Sequence, residues 1–200
     1  MGAPRRNESA AGGLMQRAFV WPYRAILAVL IWLRVQPWQL TIASPVFVVA
    51  SGWQIVEGNW ALAGVLLLIG GLCDAFDGSV ARHMGKVKRS GAFLDSVLDR
   101  VSDMVLFSCL FWNLAEKGET FQAALALLTL IVSLGVSQIR AEAEAVGVTL
   151  SEGLFQRLER FLALLIGLLI PGAMLPALIA LAVLGVFTVA QRGFSALTQA

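Results

Sequence analysis

Long apolar runs separated by short polar turns make up most of this chain. The run at residues 38–56 holds no charge, and the final stretch, 161–191, holds none over 31 residues. A run of about 20 residues crosses a bilayer core of roughly 30 Å as a helix, so the final stretch is too long for one crossing. Pro171-Gly172 divides it. Six spans are predicted: residues 38–56, from Trp60 past Asp77, about 91–115, about 121–139, from near Gly153 to Pro171, and from there to near Ala190.

The chain before the first predicted span has a different character. Residues 1–13 are rich in Gly, Ala and Arg, which predicts a disordered cytoplasmic tail. Residues 14–36 mix arginines and aromatic residues with apolar ones around Pro22, a pattern typical of an amphipathic helix in the membrane interface. The predicted organisation is therefore this tail, a juxtamembrane helix over 14–36, a six-helix domain over 37–192 and a cytoplasmic tail over 193–200.

Composition and charge place the chain in a membrane. Hydrophobic residues make up 58% and charged residues 14%, and the mean hydropathy is +0.78. The connector after the second span carries Lys86, Lys88 and Arg89, so the positive-inside rule puts it in the cytoplasm. An even number of spans then leaves both termini cytoplasmic. We expect an all-α, multi-pass protein of the cell membrane.

Four aspartates lie at the edges of the second and third predicted spans. Asp74 and Asp77 are spaced i,i+3, and Asp95 and Asp99 are spaced i,i+4, so each pair shares one face of a helix. Carboxylates beside apolar runs are costly unless cations neutralise them. Mg²⁺ or Mn²⁺ suits an all-oxygen ligand set without His or Cys. The pattern predicts a binuclear metal site that faces the cytoplasm.

The aspartates belong to a longer motif. The stretch DAFDGSVARHMGKVKRSGAFLDSVLD resembles the signature of the CDP-alcohol phosphatidyltransferases, which transfer a phosphatidyl-type group from a CDP-linked lipid to an alcohol. The eight positions that carry the resemblance are Asp74, Asp77, Gly78, Ala81, Arg82, Gly91, Asp95 and Asp99.

The resemblance implies a reaction and a set of partners. CDP-diacylglycerol would react with an alcohol, and CMP would be released. The four aspartates would hold two ions, Mg²⁺ or Mn²⁺, and Asp99 would also act as general base toward the acceptor hydroxyl. The family has six transmembrane helices, usually in a homodimer. We expect a phospholipid-synthesising transferase with membrane lipids, but no nucleic acid, as partners.

Further positions match the donor-binding pattern of the family. Gly78 and Ala81 are small where backbone approaches the nucleotide, and Arg82 can bind a phosphate bidentately. Thr41 lies in a segment, PWQLT, that is similar to the one that contacts the CDP-lipid. Lys88 is a further candidate for the diphosphate.

The acceptor is indicated by a more local similarity. Residues 95–103 and the segments SQIRAEAEAVG and QRLER resemble those of prokaryotic phosphatidylinositol phosphate synthases. This implies that Arg140, Arg157 and Arg160 bind the phosphate of inositol 1-phosphate. Glu142 and Leu158 depart from that pattern, where Arg and Pro are expected.

Three alternatives remain at this point. Glycerol 3-phosphate is the alternative acceptor for the same reaction, although its enzymes tend to have Asp-Pro-x-x-Asp-Lys. An intramembrane prenyltransferase also binds a diphosphate through aspartates, but usually from two distant motifs on a larger bundle. A cation transporter would carry its acidic residues nearer the middle of its spans.

Overall fold

The computed structural model describes residues 23–85, 89–148 and 157–199, and all of its regular structure is helical. Within these ranges there are seven helices: α1 Tyr23–Trp32, α2 Pro37–Val56, α3 Trp60–His83, α4 Arg89–Glu116, α5 Thr120–Ala145, α6 Arg157–Leu169 and α7 Met174–Gln199. The predicted tail at 1–13 and the first part of the predicted juxtamembrane helix lie outside the described residues.

Short turns separate α2 from α3 and α4 from α5 where the sequence predicts them. Pro37 opens α2, where its missing N–H costs nothing, and the Gln39 side chain accepts a hydrogen bond of 2.8 Å from the Gln36 backbone. Gly58 and Gly118 turn the chain between α2 and α3 and between α4 and α5, at φ of 81° and 76°. Glycine adopts this left-handed conformation without the steric cost of a Cβ.

Two helices are longer than predicted. α5 continues past Ile139 to Ala145, and an i,i+4 ion pair between Arg140 and Glu144 joins the two turns of this extension. α7 continues past Ala190 to Gln199, so most of the predicted C-terminal tail is helical. No proline interrupts the chain after Pro176, which leaves the last helix free to extend.

The helices pack around one main apolar core. α3 lies between α2 and α6, α4 contacts α2 and α5, and α7 contacts α5 and α6. Phe107, Leu110 and Leu178 are fully buried in this core. Adjacent glycines allow α3 to approach two neighbours at once: a Cβ on Gly70 would lie 3.2 Å from the Ser44 carbonyl oxygen of α2, and one on Gly71 would overlap the Phe161 ring of α6.

Four of the described helices, α2, α3, α5 and α7, are long and apolar enough to cross a membrane. Many large apolar side chains on them are exposed, Val183 by 62% and Phe187 by 54%, as expected for surfaces that face lipid rather than water. The sequence predicts two more spans. In α4 the charged residues between Asp95 and Asp103 interrupt the apolar pattern, and the described part of α6 is 13 residues long.

Candidate active site

Three of the four predicted metal ligands meet in one cluster. Asp74 comes from the C-terminal half of α3, and Asp95 and Asp99 lie one turn apart on α4. One carboxylate oxygen from each lies within 4.8 Å of the other two, and all three residues are half-buried. The i,i+4 spacing of the α4 pair turns both side chains toward α3, which is the arrangement that the motif predicts.

Asp77 lies one turn further along α3 and is oriented by α2. The Thr41 hydroxyl donates a hydrogen bond of 2.8 Å to its carboxylate and also lies 3.1 Å from the Pro37 carbonyl oxygen. Thr41 is a predicted donor-binding residue, and here its contact is with a predicted metal ligand. The first turns of α2 therefore fix one side of the acidic site.

The carboxylate cluster has a cationic partner from a third helix. Arg157, the first residue of α6, places one guanidinium nitrogen 2.8 Å from Asp74 and 2.5 Å from Asp99. The sequence predicts Arg157 as an acceptor ligand, and the structure brings it to the aspartates themselves. Its charge offsets part of the repulsion among carboxylates that share a half-buried site.

A second aspartate–arginine pair lies one helical turn deeper in the protein than the contacts of Arg157. Arg160 is 7% exposed, and its guanidinium lies 3.2 Å from the carboxylate of Asp103. The same carboxylate accepts a hydrogen bond of 2.6 Å from the hydroxyl of Ser133 on α5, which also contacts Arg160. Two aspartate–arginine pairs thus run in parallel between α4 and α6. Asp99 with Arg157 is the outer pair, and Asp103 with Arg160 is the inner pair.

Sequence reasoning did not single out Asp103 and Ser133 as site residues. The i,i+4 relation of Asp103 to Asp99 is a signal that could have found the aspartate, because it places both on one face of α4. No sequence pattern marks Ser133 as a site residue, since a serine in an apolar run is ordinarily a small residue that allows close helix packing.

The remaining predicted acceptor residue, Arg140, stands apart from these pairs. It forms its ion pair with Glu144 at 2.8 Å on its own helix, and its side chain is 59% exposed. Arg192 of α7, which the sequence marks only as a cytoplasmic charge, is instead buried and donates to the Val136 carbonyl oxygen at 3.3 Å.

The signature residues after the first aspartate pair lie at the end of α3. Arg82 donates a hydrogen bond of 2.9 Å to the Ser79 hydroxyl, and its guanidinium lies beside Gly78, 3.4 Å from where a Cβ would stand. Ala81 is partly buried on the same helix. Lys88, predicted to meet the diphosphate, lies outside the described residues.

A small cavity of about 50 Å³ lies between the two aspartate–arginine pairs and the apolar core. Asp99, Asp103, Arg157 and Arg160 line its polar side, and apolar residues such as Phe161 line the other. A cavity of this size accommodates a few water molecules or small ligand atoms. The cavity thus lies between the two ion pairs and an apolar wall.

The residues present fit a divalent cation. Oxygens bound to one Mg²⁺ or Mn²⁺ lie about 3 Å apart when adjacent and about 4.2 Å apart when opposite, so the three carboxylates are close enough to converge on an ion after side-chain rotation. Every donor is a carboxylate oxygen, the ligand type that hard cations prefer. Two of these carboxylates form ion pairs with the guanidinium of Arg157, which shows that a positive charge is favourable at this position.

Comparison with known proteins identifies the family. The pattern described as CDP-alcohol phosphatidyltransferase matches residues 34–191, which is most of the chain and includes both aspartate pairs. The chain belongs to this family. It is an enzyme of phospholipid biosynthesis that transfers phosphatidyl-type groups. The resemblance seen in the motif is confirmed.

Named relatives of this phosphatidyltransferase come from bacteria and archaea. The phosphatidylinositol phosphate synthase of Corynebacterium glutamicum is 35% identical over 175 residues, 84% of this chain and 80% of that protein. The archaetidylinositol phosphate synthase of Pyrococcus horikoshii is 39% identical over 136 residues, 67% of this chain and 69% of that protein.

Solved structures of one relative share the fold. The Mycobacterium tuberculosis phosphatidylinositol phosphate synthase with CDP-DAG bound superposes with a TM-score of 0.78 at 29% identity, over 86% of this chain and 92% of that one. The same protein in complex with manganese and citrate gives a TM-score of 0.77 at 29% identity, over 87% and 88%. A manganese complex of a relative and the acidic cluster described above both support the use of a divalent metal by this phosphatidyltransferase.

Proposed function

We propose that this enzyme transfers the phosphatidyl group of CDP-diacylglycerol to inositol 1-phosphate and releases CMP. The observation that carries the proposal is that Asp99 of the carboxylate cluster lines one cavity together with two arginines, Arg157 and Arg160. An acidic, metal-binding half suits a diphosphate, and a cationic half suits the phosphate of the acceptor. Relatives named phosphatidylinositol phosphate synthase and archaetidylinositol phosphate synthase support this choice of acceptor.

The acidic half would bind the donor. Asp74, Asp77, Asp95 and Asp99 would hold two ions, Mg²⁺ or Mn²⁺, which supply charge neutralisation for the diphosphate when bound. Thr41 would fix Asp77 in the orientation needed for binding. Arg82 would bind a donor phosphate, with Gly78 and Ala81 leaving room for the nucleotide, and Lys88 is a further candidate for the diphosphate.

Asp99 would remove the proton from the acceptor hydroxyl. The hydroxyl oxygen then attacks the lipid-linked phosphorus, a new P–O bond forms, and the bond to the CMP phosphate breaks with its electron pair leaving on CMP. Asp99 borders the cavity as well as the carboxylate cluster, so it lies where donor and acceptor would meet. The apolar wall limits hydrolysis by keeping bulk water away.

The cationic half would bind the acceptor phosphate. Arg160 is held inside the cavity, Arg157 lies at its entrance, and Arg140 would attract the dianion from the exposed end of α5. Glycerol 3-phosphate is the second candidate, because the same arginines suit its phosphate.

We propose that α4 and α6 cross the membrane together with the four long apolar helices, giving six spans with the active site and both termini on the cytoplasmic side. The positive charges around His83 support this orientation. α1 would lie in the interface, since Ile26, Val29 and Trp32 are exposed on it while Leu27 and Leu30 pack against the protein. A homodimer is the assembly expected for the family.

The acceptor is tested by offering purified protein CDP-diacylglycerol and Mg²⁺ with inositol 1-phosphate, glycerol 3-phosphate, serine or free inositol. CMP release and the mass of the lipid product are measured for each. We expect release with inositol 1-phosphate and a product of phosphatidylinositol phosphate mass. Release with glycerol 3-phosphate alone would identify glycerol 3-phosphate as the acceptor instead. Absence of metal-dependent CMP release together with absence of CDP-diacylglycerol binding would overturn the proposal.

A further inference from the structure

The N-terminal helix α1 makes a specific contact with the signature helix. The Tyr23 ring stacks on Phe76 of α3, with ring centroids 4.8 Å apart and an interplanar angle of 20°. The Tyr23 hydroxyl forms a hydrogen bond with the hydroxyl of Ser79, one turn further along. Phe76 and Ser79 are buried, 3% and 7% exposed, so this contact lies on the face of α3 that α1 covers, while Tyr23 itself stays 38% exposed.

Ser79 also orients Arg82. The guanidinium of Arg82 donates to the Ser79 hydroxyl at 2.9 Å, and in the part of the chain that the structure describes this bond links the arginine to the body of the protein. Arg82 itself is exposed. A serine hydroxyl rotates freely unless a second partner fixes it, and Tyr23 is that partner.

We propose that Tyr23 is a positioning residue for the donor, acting through Ser79 to present the Arg82 guanidinium to a phosphate of the CDP-lipid. This inference rests on the proposed function, which assigns Arg82 to the donor. Holding a long arginine side chain in place before binding removes part of the rotamer entropy that binding otherwise costs. Tyr23 precedes the segment that matches the family pattern, residues 34–191, and so adds an element outside it.

The hydrogen bonds that link Tyr23, Ser79 and Arg82 also connect the proposed interfacial helix α1 with the proposed phosphate-binding end of α3. α1 is the helix proposed to lie in the membrane interface, where the lipid part of the donor resides. Arg82 follows Asp77 by five residues on α3, the helix that also carries two of the carboxylates proposed to bind the diphosphate. A hydroxyl from the interfacial helix thus supports the residue that would meet the phosphate end of the same substrate.

The test compares full-length wild type with Tyr23→Phe, which keeps the ring stack and removes only the hydroxyl. Binding of CDP-diacylglycerol in the presence of Mg²⁺ is measured directly, together with the KM of each substrate and the melting temperature. We expect binding of the CDP-lipid to weaken by between roughly two- and tenfold, the loss of one hydrogen bond, with the acceptor KM unchanged and the melting temperature lowered by at most a few degrees. Trp32→Phe, an 80% exposed position on the same helix, serves as the matched control and should leave all values unchanged.

Ser79→Ala and the double variant decide whether Tyr23 acts through Ser79. We expect Ser79→Ala to weaken donor binding at least as much as Tyr23→Phe, and the double variant to equal Ser79→Ala alone. Unchanged donor binding in Tyr23→Phe, or fully multiplicative effects in the double variant, would overturn the inference. If the wild-type protein binds CDP-diacylglycerol but transfers its phosphatidyl group to no acceptor, the proposed function is wrong. The comparison of donor binding between wild type and Tyr23→Phe still tests the role of Tyr23 in that case.

Discussion

The guanidinium of Arg157 reaches two carboxylates on different helices at once, Asp74 on α3 and Asp99 on α4. One turn deeper, Arg160 makes a comparable pair with Asp103, and Ser133 joins α5 to it. At the scale of single residues, the site is therefore a set of half-buried acids whose charge is balanced from α6. Removing one member leaves an uncompensated charge, which costs more than the pair contributes.

Asp74→Asn removes a carboxylate from the cluster of three. We expect affinity for Mn²⁺ to fall more than roughly tenfold and CMP release to fall more than roughly 100-fold, because an amide is a poor ligand for a hard cation. Mn²⁺ binding followed by electron paramagnetic resonance, together with a CMP assay, checks both. The control Glu116→Gln alters an exposed carboxylate at the far end of α4. Wild-type metal affinity in Asp74→Asn would contradict the assignment.

Asp103→Asn breaks the inner ion pair. Arg160 is almost fully buried, so loss of its carboxylate partner should destabilise the fold by about 1–3 kcal/mol. Thermal unfolding in detergent should show a melting temperature lower by several degrees, whereas the exposed Glu142→Gln should melt like wild type. An unchanged melting temperature would show that Arg160 does not depend on Asp103.

At the scale of helices, glycines in α3 determine how closely α6 brings its arginines to the acids. Gly71 faces the Phe161 ring, and Gly64 faces Leu169 near the other end of α6. Phe161 directly follows Arg160 in sequence. The distance between α3 and α6 therefore controls where both arginines of the site stand.

Gly71→Ala tests this control. A Cβ there would lie 2.3 Å from Phe161 Cζ, so the ring and the adjacent turn of α6 must move. We expect CMP release to fall roughly tenfold or more, as misplacement of groups around a reaction costs rate steeply. Gly193→Ala, with open space around its Cβ position, should retain activity.

A second substitution distinguishes a shift of α6 from a general loss of folding. Phe161→Leu removes the ring that the new methyl group would strike, so Gly71→Ala with Phe161→Leu should recover part of the lost activity. Full wild-type activity of Gly71→Ala alone would show that α6 can adjust without moving its arginines.

At the scale of the whole molecule, four helices satisfy the length and apolarity of a span, while α4 carries its charges at one end and α6 is described for 13 residues. The active site collects residues from the polar ends of α3, α4 and α6. The proposed arrangement with these ends at one membrane face would bring a lipid-linked donor and a water-soluble acceptor together.

Cysteine accessibility tests the proposed orientation. After Cys73 and Cys109 are replaced by alanine, a cysteine is introduced at Glu116, the last residue of α4, or at Glu142, near the end of α5; both positions are exposed. In intact cells, an impermeant maleimide should label the first and not the second. Labelling of both from outside, or of Glu142→Cys alone, would contradict six spans with a cytoplasmic site.

Much of this structure could be predicted from local sequence. The parts that could not be predicted depend on contacts between residues far apart in the sequence. The turns at Gly58 and Gly118 and the carboxylate cluster were predictable, because breakers and helical spacing act over a few residues. The bond between Ser133 and Asp103 joins residues 30 apart, and that between Tyr23 and Ser79 joins residues 56 apart. Such contacts depend on how whole helices pack.

The family was predictable because its motif is local, whereas partner choice at the site was not. Arg157 was expected at the acceptor phosphate, and its contacts are with Asp74 and Asp99. Spacing along α6 places Arg157 and Arg160 on one face, but it does not say which acid on another helix each one meets. The acceptor role of both remains a proposal.

The central claim is that the carboxylate cluster drives a metal-dependent transfer to an alcohol. It is tested most directly by CMP release from CDP-diacylglycerol and inositol 1-phosphate by purified protein, before and after chelation and after readdition of Mg²⁺ or Mn²⁺, with Asp99→Asn in parallel. We expect release that stops on chelation, returns with either ion, and is absent from Asp99→Asn although this variant still binds the CDP-lipid. Release that persists without metal, or in Asp99→Asn at the wild-type rate, would contradict the account.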